Sequence, residues 1–308
     1  NLTGRAVLET YRIPPGSAAA HALSDVDHDT LARAFGRVGG LDRVASVVKA
    51  IRAERGANML LLDGGDTFTN SYTALETRGA DMVAALGLLA PDAMTGHWEF
   101  TLGAERLEEI VRDLGFPFLA QNVRDTDFVD PVFEARATFE RGGVRIAVIG
   151  QALPYTAVAN PRWMFPKWSF GIRERELQRQ VDEARREGAE LVVLLSHNGF
   201  SVDRKLDVIL AAHTHDALPE PVLVGQTLLV ASGSHGKFVS RLDLDVGGGR
   251  VRGFRYRLIP VFSEVIQPDP EMARLVAGVR APHAAMLAER VGEADATLNR
   301  RGTFNGTY

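Results

Sequence analysis

Leu191-Val-Val-Leu-Leu-Ser-His-Asn-Gly199 and Asp207-Val-Ile-Leu-Ala-Ala-His-Thr-His-Asp216 decide how this chain is read. Each is a short run of apolar residues that ends in histidine. Such runs, without polar alternation, fit strands buried on both faces. The histidines then stand at strand ends, and open α/β sheets place their ligand sites just outside the carboxyl ends of their strands. Two further runs have the same form. Residues 58–62 lead into Asp63-Gly-Gly-Asp66, and residues 92–95 into Gly96-His-Trp-Glu99. Four motifs on four strand ends can converge on one crevice.

Helical patterns lie between these runs. Leu41, Val44, Val47, Val48 and Ile51 recur at helical spacing over 41–55, and helices are also predicted at 74–89, 102–114, 174–187 and 271–290. Strands are predicted at 117–123, and at 132–139 and 144–149 around the hairpin signal Arg141-Gly142-Gly143. The runs 227–231, 238–245 and 251–259 look like an antiparallel meander, with Gly247-Gly248-Gly249 as one turn. Residues 1–37 read as irregular, broken by Pro14, Pro15 and Gly16, with a short helix near 18–22. Helix–strand alternation in the first half implies parallel strands under helices, and the strand-rich second half implies a second sheet packed on the first. The expected architecture is a four-layer α/β/β/α sandwich of two mixed sheets. Its catalytic domain would span 41–265, between an irregular segment 1–40 and a helix and linker at 266–308. Only ten residues, 197–206, join the strands that end at Ser196 and begin near Asp207. A parallel crossover needs a dozen or more, so residues are expected to be missing between about Arg204 and Leu206.

The 308 residues are 45% hydrophobic and 24% charged, which suits a folded chain with a sizeable core rather than a disordered one. A net charge of −4 offers no footprint for general nucleic-acid binding. No apolar run approaches the ~18 to 20 residues that span a bilayer. The absence of cysteine excludes disulfides, thiolate–metal sites and cysteine nucleophiles. Asn1-Leu-Thr-Gly4 has neither a Met nor a basic and apolar leader, so a removed leader or a longer parent chain is expected.

The motifs collect one carboxylate, Asp66, and four imidazoles, His97, His197, His213 and His215. Oxygen and nitrogen donors without sulfur suit Mn, Zn, Fe or Co and argue against Ca or a structural zinc. His213 and His215, two apart on a strand end, face one side.

In this order, each after an apolar strand, the motifs resemble the calcineurin-like metallophosphoesterases and, within them, the 5′-nucleotidase group, from about Gly36 to Ile259. The middle motif of that family reads Gly-Asn-His-Glu-Phe-Asp, where this chain has Gly96-His97-Trp98-Glu99-Phe100-Thr101. With Gly64-Gly65-Asp66-Thr67, Gln121-Asn122-Val123 and Ser196-His197-Asn198-Gly199-Phe200, this variant is similar to the group's thiosulfohydrolases of periplasmic sulfur oxidation. The resemblance implies a periplasmic enzyme with two divalent metal ions, Mn foremost and Zn or Fe as alternatives. Asp66 would bridge them, His97, His197 and His213 would complete one shell, and His215 would bind the other ion. A metal pair ~3.5 to 4 Å apart can hold a hydroxide and clamp an oxyanion, which serves a sulfonate as well as a phosphoryl group. The implied substrate is a cysteine S-thiosulfonate on a sulfur-carrier protein of the SoxYZ type, cleaved to release sulfate.

The departures carry information. In the nucleotidases a His and an Asp of the middle motif assist the leaving alkoxide, and here Trp98 and Thr101 stand there. Neither is an acid near pH 7, whereas a sulfur leaving group needs little protonation. Trp98 either lines a substrate channel or packs in the core. Asn122 either binds a substrate oxygen or caps a turn. The family's opening Asp-x-His motif has no counterpart, since no Asp stands two before His21 or His28, and those histidines are expected in a solvated loop. Either the parent chain starts earlier or a metal has been lost. Arg301–Tyr308 reads as the start of a C-terminal domain. His235 is expected at a turn or behind the site, and Trp163, Phe165, Trp168 and Phe170 in a satellite core. Two alternatives stand beside the thiosulfohydrolase. One is a 5′-nucleotidase-like phosphate-ester hydrolase, the other a non-catalytic binding module with a decayed metal site.

Overall fold

The computed structural model describes residues 4–198 and 206–295. In chain order the first half contains α1 (Arg5–Thr10), α2 (Ala18–Leu23), α3 (His28–Phe35), α4 (Leu41–Arg55), β1 (Leu62–Asp63), α5 (Tyr72–Thr77), α6 (Ala80–Leu89), β2 (Ala93–Met94), a 3₁₀ turn at Trp98–Leu102, α7 (Ala104–Asp113) and β3 (Arg124–Asp125). The second half contains β4 (Arg136–Arg141), β5 (Val144–Gln151), α8 (Thr156–Ala159), a 3₁₀ turn at Arg162–Met164, β6 (Trp168–Ser169), α9 (Glu174–Arg186), β7 (Leu191–Ser196) and β8 (Val208–Ala211). After these come β9 (Val222–Val224), β10 (Thr227–Ala231), β11 (Phe238–Val246), β12 (Val251–Pro260), α10 (Pro270–Arg280), a 3₁₀ turn at Ala281–His283 and α11 (Ala284–Leu287).

Six strands form the central sheet in the order β4-β5-β7-β8-β10-β9. The inner four are parallel, and β4 and β9 are antiparallel edges. Period-2 alternation sends Ala147, Ile149, Val192, Leu194, Ile209 and Leu229 to one face, where Leu177, Val181 and Ala184 of α9 cover them. Ile146, Val148, Leu191, Val193, Leu195, Val208 and Leu228 line the other face and meet Leu60, Leu62, Ala93, Leu119, Leu242 and Leu244. Leu62, Ala93, Leu242 and Leu244 belong to a second β layer, built from the parallel pair β1-β2 and the antiparallel pair β11-β12, with Leu60 and Leu119 beside it. The outer side of that layer is closed by α4, α6, α7 and α10, through Val48, Leu86, Leu107, Ile110 and Met272. The four-layer α/β/β/α sandwich read from the sequence is therefore the observed fold.

Local expectations differ in several places. Residues 4–35, expected to be irregular but for one helix, form three short helices. His21 is buried rather than solvated; its Nε2 lies 2.8 Å from the Gly36 carbonyl, and its ring stacks on Phe35 and Phe262. The helix expected at 74–89 breaks at Arg78, which takes a left-handed conformation (φ 50°). Residues 117–123 contribute only isolated bridges, Met94 to Phe118 and Leu119 to Glu134. Thr227–Ala231 is not part of a meander with β11, because it is buried throughout and pairs with β8 and β9 inside the central sheet. Phe165, Trp168 and Phe170 pack with Phe100 and Phe133, whereas Trp163 is 74% exposed. Strands β7 and β8 are parallel neighbours, and the break suspected between about Arg204 and Leu206 falls at the end of 199–205, which lies outside the described residues, as does 301–308. Among the described residues no helix is long and apolar enough to cross a membrane.

Candidate metal centre

The segments that follow β1, β2, β7 and β8 leave the carboxyl ends of parallel strands on one side of the sandwich, and each carries part of the site. Asp63 fixes the first. Its Oδ1 accepts the Gly65 N–H at 2.8 Å, and both its oxygens lie 3.0 Å from the Thr67 hydroxyl. The turn needs glycine at 65, where φ is +91° and a Cβ would lie 2.7 Å from the Thr95 carbonyl. That close approach sets Asp66 against the segment after β2. Glu99, fully buried, ties the two together: Oε1 accepts the Thr67 N–H at 2.5 Å and Oε2 accepts the His97 N–H at 2.8 Å. The Trp98 N–H donates to Asp66 Oδ1 at 2.9 Å.

Asp66, His97, His197 and His213 bring their ligand atoms within 4.8 Å of one another. His97 Nδ1 lies 3.2 Å from Asp66 Oδ1, and His197 Nε2 lies 3.1 Å from Asp66 Oδ2. The three rings stand 5.0 to 5.4 Å apart, centroid to centroid. His197 Nδ1 is 2.6 Å from the Gly64 carbonyl, an acceptor only, so that nitrogen carries the proton. In the neutral ring Nε2 then bears a lone pair directed at a carboxylate oxygen. His97 Nδ1 and His197 Nε2 are buried and make no hydrogen bond, despite their nearness to Asp66. Lone pairs in this arrangement call for a proton or a cation between them, and a backbone carbonyl orienting a ligating imidazole is a recurrent feature of metal sites. The four residues present therefore fit a divalent ion.

The electrostatics agree. Burial alone would raise the Asp66 pKa, but the nearby His197 and His97 imidazoles and the Trp98 amide outweigh it and hold the carboxylate well below its usual range. Burial opposes the His197 charge, but Asp66 overcomes this and raises that pKa. His213 is pushed down to about 4, first by burial and then by His197 and His97, which leaves it neutral and able to ligate at pH 7. His215 is lowered too, by burial and then by His235. Asp63 is pushed up to about 6 by burial, with the Glu99 charge adding to it.

His215 lies outside the four-residue group, its ring 5.5 Å from that of His235. Trp98 is 40% exposed beside His97, with ring centroids 5.3 Å apart, so it is not core packing. Asn122 corrects an expectation. It is fully buried, its amide group donates to the Ala152 and Gly171 carbonyls at 2.9 Å each, and its Oδ1 accepts the Ala152 N–H at 2.9 Å. Both amide protons are spent on bracing two backbone segments, which leaves none for a substrate oxygen. Asp63 and Glu99, quoted in the motifs but given no role, position the loops; a carboxylate inside a Gly-rich turn was the available signal.

No protein-family profile matches the chain. It is 25% identical to protein UshA of Yersinia enterocolitica over 319 residues, 84% of this chain and 58% of that protein. Among solved structures, the sulfate thiohydrolase SoxB of Thermus thermophilus superposes with a TM-score of 0.89 at 39% identity, covering 92% of this chain and 54% of that one. A 5′-nucleotidase precursor, also of Thermus thermophilus, shares the fold, with a TM-score of 0.75 at 23% identity, covering 83% of this chain and 55% of that one. The chain thus spans little more than half the length of these relatives. The similarities bear out the resemblance carried by the motifs.

Proposed function

From a chain of the 5′-nucleotidase group of the calcineurin-like metallophosphoesterases, we propose the metal-binding core of a periplasmic thiosulfohydrolase. It would release sulfate from a cysteine S-thiosulfonate on the flexible arm of a SoxYZ-type carrier. The carrying observation is the pair Trp98 and Thr101 at the positions where the group's nucleotidases keep an acid dyad. The likeness to SoxB supports the same choice.

Asp66, His97, His197 and His213 would hold one divalent ion, Mn foremost, and His215 would serve a second. Ions bound there supply Lewis acidity and a water acidic enough to act as a nucleophile near neutral pH. Asp66 stays ionised because its imidazole partners and the Trp98 amide favour the charge. Glu99 and Asp63 keep the loops in register. The Thr101 hydroxyl donates to the Trp98 carbonyl at 2.6 Å and has no acid to offer. Cleavage adds water to the terminal sulfonate sulfur and breaks the sulfur–sulfur bond, giving sulfate, a cysteine persulfide and two protons. The departing sulfur has a pKa in or below the ordinary thiol range of about 8.5, so no proton donor is required. The exposed Trp98 ring offers the arm a flat apolar wall.

The test is a peptide cysteine S-thiosulfonate with Mn(II), followed by sulfate release, beside AMP followed by phosphate release. Sulfate release exceeding AMP turnover by a hundredfold or more in kcat/KM is expected. Comparable AMP turnover would establish the phosphate-ester hydrolase instead. No turnover and no retained metal would leave a binding module.

A further inference from the structure

Next to His215 stands a second imidazole that the motifs did not assign to metal. The loop after β10 brings it there. The Gly233 N–H donates to the Asp216 carbonyl at 2.8 Å, and Ala217 bridges Ser232 in antiparallel fashion. Gly233 permits this contact, since φ is +72° and a Cβ would lie 2.9 Å from the Phe238 ring. The far side of the loop is pinned by the Lys237 carbonyl, which accepts the Val261 N–H at 2.9 Å. His235 is thus placed edge-on to His215, at a centroid distance of 5.5 Å and an interplanar angle of 81°.

Three further features bear on this pair. His215 and His235 both take left-handed backbone conformations, φ 60° and 59°, which strain a residue with a Cβ and cluster at functional sites. Ser234 Oγ lies 2.7 Å from His235 Nδ1, a contact that orients the ring. The same turn buries Asp216 Oδ2 without a hydrogen-bond partner. His215 stands two residues after His213, a member of the four-residue group.

We propose that His235 is a protein ligand to a divalent metal ion at the second position, shared with His215 and adjoining the Asp66 cluster. The inference rests on the dimetal reading above. It gives the second ion a second imidazole from the chain's own residues, on a loop outside the motifs of the group. The chemistry is that of an Mn(II), Fe(II) or Zn(II) site with imidazole nitrogen donors.

The experiment is a Mn(II) titration of the chain and of its His235→Ala and His235→Gln variants. Bound metal is counted by elemental analysis after gel filtration, and EPR separates spin-coupled pairs from isolated Mn(II). Thermal unfolding of the metal-free variants checks that they fold. Two Mn per chain with a coupled signal are expected for the parent. One Mn, or a second site weakened at least tenfold, with an isolated six-line signal, is expected for both variants. Two equally tight ions in parent and variants would overturn the role of His235 and leave the dimetal reading standing. A parent that binds one ion, with no change on substitution, would overturn it as well. A parent that binds none would remove both.

Discussion

Asp63→Asn isolates what a buried carboxylate costs beneath the metal loop. Asp63 accepts hydrogen bonds from the Gly65 N–H and the Thr67 hydroxyl, yet burial and the Glu99 charge still lift its pKa from 3.8 to about 6. The folded chain therefore binds this proton more tightly than the unfolded chain does. The stability it contributes is full below pH 3.8 and is lost as pH rises through about 6. At 1.36 kcal/mol per pKa unit the ceiling is about 3 kcal/mol, and because the residue keeps some solvent contact about 1.5 to 3 kcal/mol is expected. An asparagine keeps an acceptor for Gly65, turns its amide toward the Thr67 oxygen and carries no charge. Urea unfolding of EDTA-treated protein from pH 4 to pH 7.5 reads the difference. The variant should match the parent at pH 4 and exceed it by about 1.5 to 3 kcal/mol at pH 7. A pH-independent difference, or a variant less stable than the parent at pH 7, would refute the assignment and make Asp63 a carboxylate the fold needs charged.

Four other outcomes are expected. Gly65→Ala forces a Cβ against the Thr95 carbonyl at positive φ, so urea unfolding should show a loss of about 2 to 4 kcal/mol, accompanied by weaker Mn binding. His97→Ala should weaken Mn binding by a hundredfold or more by calorimetry, whereas His97→Asn, the family's own residue there, should stay within about tenfold of the parent. Asn122→Ala should cost about 2 to 4 kcal/mol through three lost hydrogen bonds while kcat/KM of the folded enzyme stays within about twofold; a tenfold drop at unchanged stability would restore a direct role. Trp98→His combined with Thr101→Asp should raise AMP hydrolysis at least about tenfold by supplying the missing acid, and an unchanged rate would count against the leaving-group argument.

The parts of the fold legible in the sequence are those where one residue type satisfies one environment. Strands β5, β7 and β8 are buried on both faces, and their uninterrupted apolar runs say so. β10 carried the same signal in Thr227-Leu-Leu-Val-Ala231, but the glycine-rich turns nearby suggested a meander, and tertiary pairing with β8 decided the matter. Strands β1 and β2 are only two residues long because the chain leaves the sheet at once for the Gly64–Gly65 and Gly96 turns. Helix α2 is the one short helix the sequence predicts there, whereas α1 and α3 are only six and eight residues long and lie between prolines, glycines and acidic turns that read as loop. His21 looked like a solvated residue for the same reason, and the aromatic faces that bury it, Phe35 and Phe262, are far apart in sequence from one another.

The candidate site divides along a similar line. Asp66, His97, His197 and His213 each lie within three residues of the end of a strand, so strand ends in a known order were enough to gather them. The pairing of His215 with His235 depends instead on how the loop after β10 folds back on the turn after β8, which no spacing encodes. The two sets share a physical property. Asp66, His213, His215 and His235 all hold positive φ (64°, 75°, 60° and 59°), a region that costs a residue with a Cβ of order 1 to 3 kcal/mol. These turns gather strain, two imidazole nitrogens without hydrogen bonds and a carboxylate facing both of them. The surrounding sandwich holds such turns in place because their flanking strands are anchored on both sides by the core. A proton or a cation turns the convergence of lone pairs from a cost into an attraction, and a divalent cation can serve all four donors at once. The anchored strands and a bound cation would therefore act together, the first holding the backbone at positive φ and the second relieving the crowded lone pairs.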